Sequence, residues 1–597
     1  MKRHVRCAVL LALAFLVQGY GGPARADNRT ESADDHRGRV SGGPLRRPCE
    51  DLAASLSAPN TAFTKSTSVA AGTLKTAGKD IGAHCLLTGK MFERVSPVDG
   101  ETYAIGFEMR LPLEWNGRFF YQANGGIDGN VVTATGNTSG GGPLTSALLQ
   151  GFAVISSDAG HTAAQNPIFG IDPQARLDYG YQAVGKLTPM AKRVIRAAYG
   201  KRPERSYIGG CSNGGRHTMV AAARYTDEYD GYLVGSPGFN LPKAAVANIY
   251  GGQQYKPFAV PGAIIPAGPF AGLPDLSGAF TPAERQLVAN KVLERCDALD
   301  GLTDGLVQNV RACQRRFDLA TDVPTCGGPR DGTCLSAGQK TAIGNIFAGP
   351  KDSDGQPIYA TFPYDAGLGS TGIPFWEFIA PVALDSGAVG FVFKTPPENP
   401  VGFNGGTFAL TANIDLLAEQ IFATNATYTE SGMSFMTPPH PDRIDDRLRR
   451  HGGRMIVYHG VSDPIFSVDD TTAWYRTLKR SGEGHGGRGG WHHDRDDDDD
   501  RVNDVVRLFH VPGMGHCSGG PATDQFDMLS ALVDWVENRD APARMIATAR
   551  GVGNVGGVNL EVPGNWAANR TRPLCPYPRI ARYRGGDPER AESFVCR

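Results

Sequence analysis

Three short motifs carry residue types that can do nucleophilic chemistry. Gly210-Cys211-Ser212-Asn213-Gly214 fits the pattern G-x-S-x-G. A serine hydroxyl at its free pKa is a weak nucleophile and needs a neighbouring base. Two later segments offer one. Gly460-Val461-Ser462-Asp463-Pro464 follows the apolar run 454–459, and Pro512-Gly513-Met514-Gly515-His516-Cys517 follows the run 505–511. With these three together, His516 takes the serine proton and later returns it to a leaving alcohol. Asp463 holds the imidazole tautomer and stabilises the imidazolium. The chemistry is acyl transfer through a covalent intermediate on Ser212.

The bare serine pattern arises about once by chance in a glycine-rich chain of this length. Its setting gives it weight: a strand-like run at 206–209 precedes it and a helical stretch at 215–225 follows. That turn lifts the hydroxyl clear of the sheet. An oxyanion hole needs two backbone N–H groups. One is expected from Asn213. The other is expected from Gly126, in Asn124-Gly125-Gly126 after the run RFFYQ (118–122). Cys211 precedes the serine and Cys517 follows the histidine. If Ser212 and His516 touch, these cysteines lie within disulfide range, with Cα atoms roughly 5–6 Å apart.

The elements that must position these groups are short. Runs at 118–122, 152–157, 206–209, 231–235, 454–459 and 505–511 read as buried strands closed by turn residues. Residues 184–199 and 215–225 read as helices. This alternation predicts an α/β protein with a mostly parallel sheet. The order Ser, Asp, His specifies the α/β-hydrolase fold within that class.

The chain is expected to divide into a signal peptide (1–26), a catalytic domain (27–234 and 444–597) and a large inserted lid domain (235–443). The insert breaks the strand–helix rhythm, is rich in Pro and Gly, and holds Cys296, Cys313, Cys326 and Cys334. The first residues combine Lys2, Arg3 and Arg6 with the apolar stretch 7–17 and the small-residue site Ala24-Arg25-Ala26. Eleven apolar residues are too few to span a bilayer, so cleavage and a secreted or periplasmic protein are expected, with no membrane association afterwards. Residues 27–48 read as a flexible polar leader. The low-complexity stretch 481–501, with its run of five aspartates, reads as a solvated loop.

Composition is globular, at 41% hydrophobic and 20% charged. Without residues 1–26 the balance is 56 Lys+Arg against 61 Asp+Glu, a net of −5, which argues against a nucleic-acid partner. Of eleven cysteines, Cys7 leaves with the signal peptide. The even remainder in an exported chain favours five disulfides. Within the insert, Asp297, Asp300 and Asp304 alternate with Gly301 and Gly305. Hard carboxylate oxygens without His or Cys suit Ca²⁺, with backbone carbonyls of Leu302 and Leu306 completing a shell. The alternative is an acidic turn clamped by Cys296 and Cys313.

The chain resembles the tannase and feruloyl esterase family. The resemblance rests on Cys-Ser at 211–212, the aspartate after YHG (458–460), His-Cys at 516–517, CDALDGLTDG (296–305) and TRPLCPYP (571–578). It implies a lid with structural calcium held by Asp297, Asp300, Leu302, Asp304 and Leu306. It also implies the pairings Cys49–Cys85, Cys296–Cys313, Cys326–Cys334 and Cys575–Cys596. Members similar at WNGRFF (115–120), DPQARLDYGY (172–181) and HCSGGPATDQFDML (516–529) place His459 and Phe466 in an aromatic-acid pocket. The function implied is hydrolysis of a small-molecule ester of a phenolic acid. A terephthalate monoester is the rival substrate. For it a lid arginine would hold the free carboxylate, yet residues 376–393 contain no Arg or Lys. A non-catalytic binding protein on the same scaffold is the alternative from another class.

Overall fold

The computed structural model describes residues 40–138, 140–481 and 502–597. The expected signal peptide and nearly all of the acidic stretch 481–501 lie outside the described residues.

Nine strands make one sheet: β1 (Thr61–Val69), β2 (His84–Val95), β3 (Thr102–Pro112), β4 (Arg118–Gln122), β5 (Ala153–Ser157), β6 (Arg205–Cys211), β7 (Gly231–Gly235), β8 (Arg454–Gly460) and β9 (Val506–Val511). Their order is β9-β8-β7-β6-β4-β5-β3-β2-β1. From β5 to β9 every neighbouring pair is parallel. The other three strands are antiparallel. All six predicted strands are present, with bounds shifted by at most two residues.

The parallel strands are apolar on both faces because both faces are covered. Tyr207, Leu233, Ile456 and Phe509 enter one apolar cluster with Leu529, Leu532 and Trp535 of the helix Met528–Asn538. Their chain neighbours Ile208, Val234, Val457 and Leu508 enter the other, with helices α1 (Ala183–Tyr199) and α2 (Asn213–Arg224). This period-2 division fixes register, since a one-residue slip would exchange the faces.

Two features differ from the sequence expectation. The antiparallel strands were not predicted, and β1 (TAFTKSTSV) shows why: it is an edge strand, largely polar and half-exposed. Residues 40–48 do not form part of a flexible leader. Gly43–Pro44 pairs with Glu114–Trp115, and the Leu45 and Arg46 amides donate to Leu113 and Ala198 at 2.9 Å. Backbone pairing is indifferent to polar side chains, so composition could not reveal it.

Between β7 and β8 the chain contributes no strand to this sheet. It forms helices, including α3 (Leu241–Tyr255) and α4 (Pro282–Cys296). Buried Arg176 joins the two parts by donating to the carbonyls of Gly170, Phe391 and Lys394. Burial lowers its pKa to about 10, so it stays charged at neutral pH. Among the described residues no helix is long and apolar enough to cross a membrane.

Candidate active site

β6 runs into α2 through a single residue, Ser212, at φ 65° and ψ −128°. Such backbone is costly for a residue with a Cβ and persists only where the surroundings enforce it. The flanking glycines are a steric requirement. A Cβ on Gly210 or on Gly214 would lie 2.3 Å from the Ala123 carbonyl oxygen. The Ser212 amide is held by the Gly235 carbonyl at 2.9 Å.

β8 and β9 end on the same side of the sheet, and their following turns bring in the other two groups. His516 Nε2 is 2.8 Å from Ser212 Oγ. His516 Nδ1 is 2.8 Å from Asp463 Oδ2. Since the carboxylate only accepts, Nδ1 carries the proton and Nε2 faces the serine as acceptor. The Asp463 side chain is 0% exposed. Burial alone would raise its pKa, but the charge and hydrogen bonds of His516 and His459 hold it well below the usual carboxylate range. Its Oδ1 also accepts the amides of Ile465 and Phe466 at 3.1 and 3.0 Å.

All ten cysteines of 40–597 are bridged in the expected pairs. Cys211–Cys517 has a Cα separation of 6.1 Å and closes 306 residues of chain beside the Ser212–His516 contact.

Gly126, at φ +65°, lies in the loop after β4. A Cβ on neighbouring Gly125 would be 3.7 Å from Ser212 Cβ, so this loop borders the nucleophile. Among the described residues the amides of Gly125 and Gly126 donate no hydrogen bond. Asn213, as the first residue of α2, also has no intrahelical acceptor for its amide.

The two expected pocket residues fare differently. Phe466 sets its ring edge-on to His516, with centroids 5.3 Å apart. His459 is fully buried rather than facing open space. Its Nδ1 is 2.9 Å from Thr471 Oγ1, and its Nε2 is 2.8 Å from the Phe466 carbonyl and 3.4 Å from Asp463 Oδ2. It therefore supports the carboxylate behind His516. Sequence reasoning missed Trp376, whose ring stands edge-on to the same imidazole with centroids 4.8 Å apart. It also missed Asp365, whose Oδ2 accepts Ser462 Oγ at 2.6 Å and the Gly513 amide at 2.8 Å. Asp365 thus ties the insert to both turns that carry Asp463 and His516. No local signal marks Trp376 or Asp365, because these partners are 97 or more residues away.

The acidic segment of the insert folds as a short turn after α4. Asp297 accepts the amides of Asp304 and Gly305 at 3.0 and 2.8 Å. Asp304 pairs with Arg572 and accepts the Leu306 amide at 3.2 Å. Asp300 Oδ1 accepts the Leu302 amide at 3.2 Å, while its Oδ2 is buried without a partner among the described residues. Burial, then the charges of Asp304 and Asp297, raise the Asp300 pKa to about 7. An orphaned buried carboxylate oxygen is a donor a hard dication takes, although among the described residues no three acids are grouped as a metal site and Asp304 is engaged by Arg572.

Replacing Cys211 and Cys517 together by Ala should lower stability by up to about 5 kcal/mol in urea unfolding, the upper range for so long a loop. Ester turnover should fall through kcat rather than KM, because the bridge fixes the Ser212–His516 distance and touches no substrate. Unchanged kcat would show that the sheet alone holds that distance.

Known proteins resemble this chain over most of its length. A family profile described as tannase and feruloyl esterase matches residues 85–597. The mono(2-hydroxyethyl) terephthalate hydrolase of Piscinibacter sakaiensis is 38% identical over 546 residues, covering 86% of this chain and 84% of that protein. The structure of feruloyl esterase B from Aspergillus oryzae aligns with a TM-score of 0.68 at 20% identity, over 92% of this chain and 99% of that one. For tannin acyl hydrolase from Aspergillus niger the TM-score is 0.64 at 20% identity, over 93% and 96%. At such identities the two structures speak for the shared α/β-hydrolase fold. The profile and the bacterial relative speak for more: this chain belongs to the tannase and feruloyl esterase family of carboxylic ester hydrolases.

Proposed function

We propose that the protein is an exported serine esterase for esters of aromatic, phenolic acids, with Ser212, His516 and Asp463 as its catalytic triad. The observation that carries this reading is the continuous chain from Ser212 Oγ through His516 to Asp463, with both contacts at 2.8 Å.

In the first half-reaction, Ser212 Oγ attacks the ester carbonyl as His516 Nε2 removes its proton. The amides of Asn213 and Gly126 receive the developing oxyanion. Collapse of the tetrahedral intermediate breaks the bond to the alkoxy oxygen, which leaves as the alcohol with the proton from His516. Water, deprotonated by the same imidazole, then attacks the acyl-enzyme and releases the acid. Asp463 keeps Nδ1 protonated throughout and stabilises the imidazolium. The insert acts as the lid. Trp376, half-buried beside the imidazole, supplies flat apolar surface for an aromatic acyl group, while Phe466 is buried against the ring.

The name of the bacterial relative favours a second substrate, a terephthalate monoester. The lid sequence weighs against it. Residues 376–393 contain no cation, and Lys394, which follows, donates to the Pro396 carbonyl and pairs with Glu398 at 2.8 Å. A substrate carboxylate buried there without a cation would be costly. Export accords with the cysteines, all of which are bridged among the described residues.

We further assign the acidic turn to structural calcium, held by Asp297, Asp300, Asp304 and the carbonyls of Leu302 and Leu306. The orphaned oxygen of Asp300 supports this. The ion would neutralise the turn and takes no part in the reaction steps.

The substrate class is tested with methyl gallate, methyl ferulate, p-nitrophenyl benzoate and mono(2-hydroxyethyl) terephthalate on the protein and its Ser212→Ala variant. A neutral phenolic ester should be cleaved with kcat/KM at least about tenfold above the terephthalate monoester, and Ser212→Ala should lose roughly three or more orders of magnitude. Faster cleavage of the terephthalate monoester would overturn the phenolic assignment. Thermal unfolding tests the metal. Chelation should lower the midpoint by several degrees, calcium should restore it, and Asp300→Asn should make the protein insensitive to both. Equal midpoints with and without chelator would leave the turn as an acidic clamp.

A further inference from the structure

Behind the proposed oxyanion hole lies a buried side-chain network that the steps above do not use. Its centre is Asp128, at the end of the loop that carries Gly125 and Gly126. Asn213 Nδ2 donates to Asp128 Oδ2 at 2.8 Å. His217 Nε2 lies 2.8 Å from the same oxygen. Arg216 Nε donates to Asn213 Oδ1 at 2.6 Å, and an Arg216 terminal nitrogen lies 3.0 Å from His217 Nδ1. The side chains of Asp128 and His217 are 2% and 4% exposed, and Arg216 is fully buried.

His217 Nε2 also lies 3.1 Å from the same Arg216 nitrogen and 3.2 Å from Asn213 Nδ2, so donors and the Asp128 carboxyl together enclose the ring. Burial raises the Asp128 pKa to about 7. The imidazole is neutral, since burial and then Arg216 hold its pKa well below the usual value. One carboxylate oxygen thus grips Asn213 and His217, four residues apart on one face of α2.

The loop's own side chains pin it at two points, and Tyr179, His161 and Asn166 also donate to its Gly126, Ile127 and Asp128 carbonyls. At its start Asn124 Nδ2 donates to Ser156 Oγ at 3.0 Å and to the Ser157 carbonyl at 2.8 Å, which fixes it to the end of β5. At its end the Asp128 amide closes onto the Gly125 carbonyl at 3.3 Å, and its carboxylate fixes the loop to α2. The first pin places the loop against the sheet. The second ties it to the helix that begins at the nucleophile. The two oxyanion donors sit on these two elements, Gly126 on the loop and Asn213 on the helix.

We propose that Asp128 is a positioning residue of the oxyanion hole, holding the Gly126 and Asn213 amides at the separation the tetrahedral intermediate requires. This rests on the triad reading above. Asp128 touches no substrate. Its removal should cost transition-state stabilisation while leaving ground-state binding intact.

The test uses Asp128→Ala and Asp128→Asn in the full-length protein, with Ser212→Ala alongside. Turnover of p-nitrophenyl benzoate and inhibition by phenylboronic acid are measured. Phenylboronic acid adds to the serine oxygen and sets a boron-bound oxygen where the oxyanion forms. Asp128→Ala should lower kcat about 100-fold, the scale of losing one oxyanion donor, and weaken phenylboronic acid comparably, with KM within about threefold of the parent. Asp128→Asn keeps one acceptor and should recover about tenfold of that loss. If Asp128→Ala fails to fold, Asp128→Asn carries the test, with kcat about tenfold below the parent and KM unchanged. Parental kcat in the folded variant overturns the proposal. So does a rise in KM that matches the loss of boronate affinity, which would mark a general loosening of the site. If Ser212→Ala is inactive while the Asp128 variants behave as parent, this inference alone falls. If Ser212→Ala retains parental activity, the triad reading falls and takes this inference with it.

Discussion

A buried negative charge governs the site. The Asp463 carboxylate is sealed from solvent, and an unpaired charge there would be prohibitive. It is tolerated because four groups face it: the His516 ring, two backbone amides from its own turn, and the His459 ring. Each of these lies at the end of β8 or β9 or in the turns that follow. The parallel register of those strands is therefore the condition for holding the charge, and the charge in turn fixes the imidazole that faces Ser212.

The rest of the architecture removes freedom from that arrangement. The disulfide between Cys211 and Cys517 links the residue before the serine to the residue after the histidine. Asp365 of the insert bonds the turns that carry Asp463 and His516, and the Trp376 ring of the insert packs edge-on to the imidazole. The insert thus packs on the turns that carry Asp463 and His516. This is consistent with an esterase in which lid and triad are assembled as one unit, and with substrate choice being set by lid side chains rather than by the reacting groups.

Much of this was legible in the sequence, for identifiable reasons. The six parallel strands are short apolar runs bounded by turn residues, because both of their faces are buried. Ser212, Asp463 and His516 stand at the ends of such runs. The neighbouring cysteines gave a geometric check on the same contact. What escaped depends on distant partners. The polar edge strand Thr61–Val69 and the pairing of Gly43–Pro44 with Glu114–Trp115 leave no apolar pattern. His459 stands at the end of β8, buried beside Asp463 and bonded to Thr471 and the Phe466 carbonyl, partners that leave no local pattern. Asn213 and His217, four apart on α2, were visible as a helix face. The carboxylate they share comes from a loop some 85 residues earlier, as the separation of Asp128 from Asn213 shows.

If Ser212 forms the acyl-enzyme, mass spectrometry of intact protein quenched during turnover of p-nitrophenyl benzoate shows it directly. A population heavier by one benzoyl group is expected, with the modification on the peptide containing Ser212 and none in Ser212→Ala. An active protein with no such adduct in the pre-steady state, or with the adduct on another residue, would rule Ser212 out as the nucleophile.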